Sequence, residues 1–248
     1  MRLATTVALF TCVAAVCAGQ TPTSAPSGRA LLVLTPAQID PSRLLPPPPA
    51  DGSPKQLSEL DAVRQLVASR SASRLQQAMW DNEHENATLF APTLGTAFDL
   101  TRLPATARLL ETIENDQAIA ASRAKEYFKR RLPAMIAMPS AYQAWTCDKT
   151  DRAPSTRSPR SYPSGHATLG YAVGGVLATL MPRHAQAILG RASDYAYSRE
   201  VCGDHYQSDV EAGQVLGTAL ATMLLNAEAL KPQLDAAQAE LRAAFLDE

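Results

Sequence analysis

Three things are scarce in this 248-residue chain. Charge of one sign is the first: 23 Lys and Arg face 24 Asp and Glu, a formal net charge of −1, so no global basicity draws the chain to nucleic acid. Long apolar runs are the second. Beyond residue 18 no uninterrupted apolar stretch approaches the roughly 20 residues of a transmembrane helix, which argues against a membrane span in the mature chain. Cysteine is the third, with Cys12 and Cys17 near the start and Cys147 and Cys202 far along. No His/Asp/Cys cluster with metal-ligand spacing stands out, so no metal is expected. An alternating strand pattern of useful length is also missing, and that points away from a sheet.

What is present first sets the compartment. Met1 and Arg2 give a short positive start, residues 3–16 are largely apolar, and Val16-Cys17-Ala18 precedes Gly19, so 1–18 reads as a secretory signal peptide cut near Ala18. Cys17 raises a lipoprotein alternative, against which Val16 is a poor fit. A periplasmic or secreted location follows. Cleavage leaves Cys147 and Cys202, and an even pair in an oxidising compartment predicts one disulfide worth about 4 kcal/mol on the chain-entropy model. Two buried free thiols are the alternative.

Residues 19–54 read as an extended, Pro-rich N-terminal arm, because the proline run 46–49 denies regular helix. From 55 to 248 helical patterns dominate. Leu57, Leu60, Val63, Leu66 and Val67 fit a 3.6-residue repeat, and Ala/Leu-rich stretches at 105–119, 166–181 and 210–230 continue it. An all-α, single-domain helical bundle of about 230 mature residues is expected.

Two short blocks carry the chemistry. Tyr162-Pro163-Ser164-Gly165-His166 opens an apolar helical stretch, and Ser198-Arg199 precedes His205 and Asp209. Alone, a Ser-Gly-His tripeptide is a turn and a His/Asp pair four apart is a solvated surface pair. Their occurrence together and in order reverses those readings. The pattern resembles the signature of the type 2 phosphatidic acid phosphatase superfamily, which also holds vanadium haloperoxidases: K-x6-R-P, then P-S-G-H, then S-R-x5-H-x3-D. Within it the soluble bacterial class A non-specific acid phosphatases are most similar. The resemblance rests on Cys202-Gly203, on residues 206–210 and on the upstream Leu-Leu-Pro-Pro-Pro-Pro at 44–49, and it implies the helical fold of the acid phosphatases and vanadium-dependent haloperoxidases.

Read as chemistry, Ser164 and Gly165 sit where a helix begins and its free N–H groups bind phosphate. Arg199 offers a planar two-pronged donor to phosphate oxygens. Asp209 fixes the tautomer of His205 and leaves the other ring nitrogen to attack phosphorus. His166 protonates the leaving oxygen and then activates water. Asp204 reads as a loop carboxylate.

The first block departs from its pattern. Lys125 matches as a phosphate ligand, but Leu132 stands before Pro133 where the family has arginine. On a continuous helix Arg131 is turned away by roughly 100°, yet Pro133 disfavours helix at Leu132, so unwinding there would bring Arg131 or Arg130 to the phosphate. The expected function is therefore a metal-independent acid phosphatase acting on phosphorylated small molecules through a phosphohistidine, with vanadate as an inhibitor and no cofactor. A vanadate-dependent haloperoxidase-like enzyme and a weakly active phosphate-binding homologue are the alternatives. A homodimer is allowed. Lys149, Arg152, Arg157 and Arg160 form a basic loop that steers anions toward Pro163 or is merely solvated.

Overall fold

The computed structural model describes residues 29–137, 147 and 160–245, so the leader and most of the basic loop lie outside the described residues. Every regular element among those described is helical. In chain order they are α1 (Pro41–Leu44), α2 (Pro54–Ser69), α3 (Ala72–Glu83), a 3-10 turn (Ala87–Phe90) running into α4 (Ala91–Leu94), α5 (Pro104–Phe128) and α6 (Pro133–Ala137). After these come α7 (Gly165–Leu180), α8 (Ala185–Val201), α9 (Gln207–Leu225), a second 3-10 turn (Glu228–Leu230) and α10 (Lys231–Ala244). No helix among the described residues is long and apolar enough to cross a membrane.

The starts follow local chemistry. Ser53, Ser71 and Ser164 each accept a hydrogen bond from a backbone N–H in the first turn of the helix that follows. Prolines open α2 and α5, where the missing N–H costs nothing. The apolar stretch 210–230 does not run as one helix. It stops at Asn226, and a proline in the first turn of α10 fixes the restart.

α7 is the centre of the bundle. Leu169, Ala172, Val173, Val176 and Leu177 are fully buried, and the helix packs against α9, α8 and α5. Each buried leucine or valine among them contributes about 1.5–3 kcal/mol. α9 comes unusually near because two of its contact positions lack side chains. A Cβ on Gly213 would lie 2.7 Å from the Ser164 carbonyl oxygen, and one on Gly217 would lie 2.5 Å from that of Thr168. The helix that begins with the Ser-Gly-His block is thus pressed directly onto the helix that carries Asp209.

The described part of the Pro-rich arm is packed. Leu34, Ile39 and Leu45 belong to the same core as α7. Backbone N–H groups of Leu32, Val33 and Leu34 donate to the carboxylate of Asp116 at 2.7, 3.0 and 2.8 Å, so a wholly buried acid on α5 holds the arm. Farther on, the Tyr162 hydroxyl donates to the Pro46 carbonyl at 2.7 Å and ties the arm to the segment before α7. Cys147 and Cys202 are joined in a disulfide, which anchors residue 147 to the end of α8.

Candidate active site

The two sequence blocks meet at the start of α7. Ser164 is fully buried, its hydroxyl caps the helix by accepting from Ala167 N at 3.3 Å, and its own N–H donates to the Asp209 carbonyl at 2.9 Å. A Cβ built on Gly165 would meet only Glu85 Oε1 at 3.5 Å and Lys125 Cε at 3.7 Å. The first turn of α7 therefore opens between an acid and a base.

The second block is folded back by its glycine. α8 ends at Val201, and Gly203 takes a left-handed φ of 73°, which turns the chain sharply and brings Arg199 and His205 to one side. His205 Nδ1 lies 3.3 Å from Asp209 Oδ2, four residues on in the first turn of α9. Asp209 has no exposed surface. Its Oδ2 also accepts from the Ser161 hydroxyl at 2.5 Å and from Tyr206 N at 3.0 Å, while Oδ1 accepts from Arg130 at 2.7 Å. Burial opposes its charge, but the His205, Arg130 and Ser161 contacts hold its pKa below the usual carboxylate value. Burial pushes His205 down to about 4, against the pull of Asp209. At ordinary pH the ring is neutral, with hydrogen on Nδ1 and the Nε2 lone pair available.

Arg130 reaches this spot because α5 ends early. Phe128 is its last residue and Lys129 follows in a left-handed conformation, φ 50°. The helix thus ends before the Leu132 position that the K-x6-R-P spacing assumes. Arg130 turns inward, donates to Ser208 Oγ at 2.7 Å and Glu59 at 3.0 Å as well as to Asp209, and stacks 4.0 Å over the Tyr206 ring. Arg131 turns outward to pair with Asp51 at 3.1 Å, with half its side chain exposed. Of the two arginines, the one brought to the cluster is Arg130, and it grips carboxylates.

Arg199 is almost wholly buried, donating to Asn82 Oδ1 and Asp204 Oδ2, each at 2.7 Å. Asp204 is correspondingly an ion-pair partner of Arg199 rather than a solvated loop carboxylate. Among the described residues the buried Nε of Arg199, like that of Arg130, has no hydrogen-bond partner. Lys125 Nζ donates to the Arg160 carbonyl at 2.5 Å. Burial, with Arg160 and Arg199 nearby, brings its pKa down to about 8.

His166 is 9 % exposed. Its Nε2 lies 3.4 Å from the Asn82 carbonyl and its Nδ1 lies 3.4 Å from Glu85 Oε1. Burial first, then Arg199, His205 and Lys125, hold its pKa well below the ordinary imidazole value. The surrounding protein raises the Glu85 carboxyl, against Arg199 and Lys125.

The structure gathers Lys125, Ser164, Gly165, His166, Arg199, His205 and Asp209 into one cluster and leaves Arg131 outside. Asn82, Glu85, Glu59 and Ser161 were not singled out by sequence, since none lies within a recognisable block. Among the described residues no group of three His, Cys, Asp or Glu side chains is arranged to hold a metal ion.

Residues 107–231 match the PAP2 superfamily. The chain is 31% identical over 208 residues to an acid phosphatase of Zymomonas mobilis, covering 83% of this chain and 76% of that protein. It is 31% identical over 201 residues to a non-specific acid phosphatase of Salmonella typhimurium, covering 79% and 78% of the two chains. A non-specific acid phosphatase of Providencia stuartii is 33% identical over 207 residues, 82% of this chain and 81% of the relative.

Proposed function

The chain belongs to the PAP2 superfamily, and we propose that it is an acid phosphatase that hydrolyses phosphate monoesters of small molecules through a phosphohistidine on His205. The observation that carries the reading is the His205–Asp209 pair. Its Nδ1 is committed to a carboxylate that four donors hold in place, and Nε2 is left neutral and nucleophilic. Supporting it, the N-terminal turn of α7, Lys125 and the unpartnered Nε of Arg199 supply positive potential and donors for the three non-bridging phosphoryl oxygens. Arg131 contributes nothing at this position.

In the first half-reaction Nε2 bonds to phosphorus while the ester P–O bond breaks, and the departing oxygen takes a proton from His166. In the second, water attacks phosphorus, gives its proton to His166, and the N–P bond breaks to release phosphate and restore His205. The disulfide and the leader-like start support a periplasmic or secreted site of action. Vanadate is expected to inhibit by occupying the same cradle.

The test is an alkaline quench of the enzyme during turnover of an aryl phosphate, with a portion then taken to acid. Native protein should yield a phosphoramidate, stable to base and labile to acid, that His205→Ala lacks. Undiminished turnover by His205→Ala sinks the assignment.

A further inference from the structure

His166 has a difficulty that the proposed reaction does not resolve. A general acid must carry a proton, yet this ring is buried, and Arg199 from α8, His205 from the turn between α8 and α9 and Lys125 from α5 add to the burial in disfavouring protonation. Tyr195, also from α8, lies 5.6 Å from the ring, and Asp204, the other carboxylate near Arg199, is already bonded to that guanidinium. Asp209 is held by His205, Arg130 and Ser161.

The ring's surroundings identify which nitrogen changes state. A backbone carbonyl only accepts, so the Asn82 carbonyl assigns a hydrogen to Nε2. Nδ1 is then the nitrogen that gains and loses the working proton, and its neighbour is Glu85 Oε1 at 3.4 Å. Glu85 follows α3 in a short connection before the 3-10 turn, and the same oxygen lies over the amide end of α7 at Gly165. Its side chain is 56 % accessible while that of His166 is 11 %. One group therefore touches both solvent and the sequestered nitrogen.

We propose that Glu85 is a positioning residue that loads the leaving-group proton onto His166: its carboxylate takes a proton from solvent hydronium, passes it to Nδ1, and as an anion holds the resulting imidazolium in place. The step balances without another reagent. A hydronium proton reaches Oε1 and leaves water behind, moves to Nδ1, and departs with the ester oxygen when the P–O bond breaks; the proton that the hydrolytic water gives to Nδ1 in the second half-reaction returns through Oε1 to solvent, so none is gained or lost over the turnover. The raised Glu85 pKa is consistent with a carboxyl that is protonated more readily than a free one in an acidic medium. The proposal rests on the phosphohistidine reading above, since a proton loader matters only if a leaving oxygen must be protonated.

Leaving-group dependence separates this role from mere support of the fold. The purified native protein, Glu85→Gln and Glu85→Asp are compared on nitrophenyl phosphate, whose anion departs unaided, and on a simple alkyl phosphate, whose alkoxide does not. Glu85→Gln should lose about 10- to 100-fold in kcat on the alkyl ester and no more than about threefold on the aryl ester, with the alkyl pH optimum moved toward acid. Glu85→Asp should recover most of the alkyl rate. Equal losses on both esters, or no loss on either, overturn the proposal when the native protein still forms phosphohistidine. If the native protein forms none, the phosphohistidine reading itself fails and takes this proposal with it.

Discussion

The two histidines of the site are held in opposite ways. His205 leans on a carboxylate with no exposed surface, which a buried arginine, a serine hydroxyl and a backbone N–H also grip. His166 faces a loop carboxylate that is more than half open to water, with Arg199 and Lys125 acting on it only through their charge. The difference matches what each ring must do. A nucleophile needs one tautomer and one direction, so every freedom of Asp209 is removed. A proton donor must exchange with solvent and make room for leaving groups of different shape, so rigidity on that side would be a defect.

The comparison is broken most severely at the closed pair. Asp209→Asn puts an amide NH2 where donors already crowd both oxygens, so the side chain must either clash or turn and release His205. A fall in kcat on the order of 10³- to 10⁴-fold is expected, with aryl and alkyl esters affected alike because the nucleophile serves both. Steady-state rates on the two esters check it, and a loss confined to alkyl esters would contradict the division of labour.

Arg130→Met attacks the support beneath that pair. It leaves Glu59 and Asp209 facing each other without their shared cation, and removing one partner of a buried pair costs about 3–5 kcal/mol. Urea denaturation should show that loss, and Arg130→Lys should show part of it. Asp209 has a depressed pKa, so its stabilising contribution is present above the unfolded carboxyl value and lost as pH falls through the folded one. In the Met variant that loss should begin at higher pH than in the native protein. An unchanged midpoint would mean the network is incidental.

Titration gives the mildest test. His205 must be neutral to attack, so kcat/KM should fall as pH drops through about 4 rather than near the usual imidazole value. Lys125 loses its charge as pH rises through about 8, and competitive inhibition by phosphate should weaken above that point by up to about tenfold per pH unit. Lys125→Arg should remove the alkaline inflection. Phosphate inhibition that stays flat to pH 10, roughly the free-lysine value, would place Lys125 away from the anion.

The closed half was more legible in sequence than the open one, for a physical reason. His205 and Asp209 are four residues apart on a helix start, and Ser164, Gly165 and His166 are consecutive, so local geometry alone relates them. The N-terminal turn of α7 and the all-helical architecture were legible from the same kind of local pattern. Glu85 and Asn82 reach His166 across more than eighty residues of chain, and no spacing rule connects them. Arg130 was obscured differently. The end of α5 depends on Lys129 adopting a left-handed conformation without a glycine to announce it, so a helix continued to Leu132 misplaces both arginines. Asn226 likewise divides a run whose apolar periodicity does not falter.

The grip of Asp116 on Leu32, Val33 and Leu34 makes the N-terminal arm a matter of processing as well as packing. A protease that trims the chain beyond Leu34 removes three of the amides that neutralise a wholly buried carboxylate and strands it in the core beside α5. Shortened forms beginning at Thr35 or later should therefore be recovered unfolded or degraded, whereas forms that keep Leu32 retain the clasp. For anyone tagging or truncating this protein, the permissible cut lies ahead of residue 32.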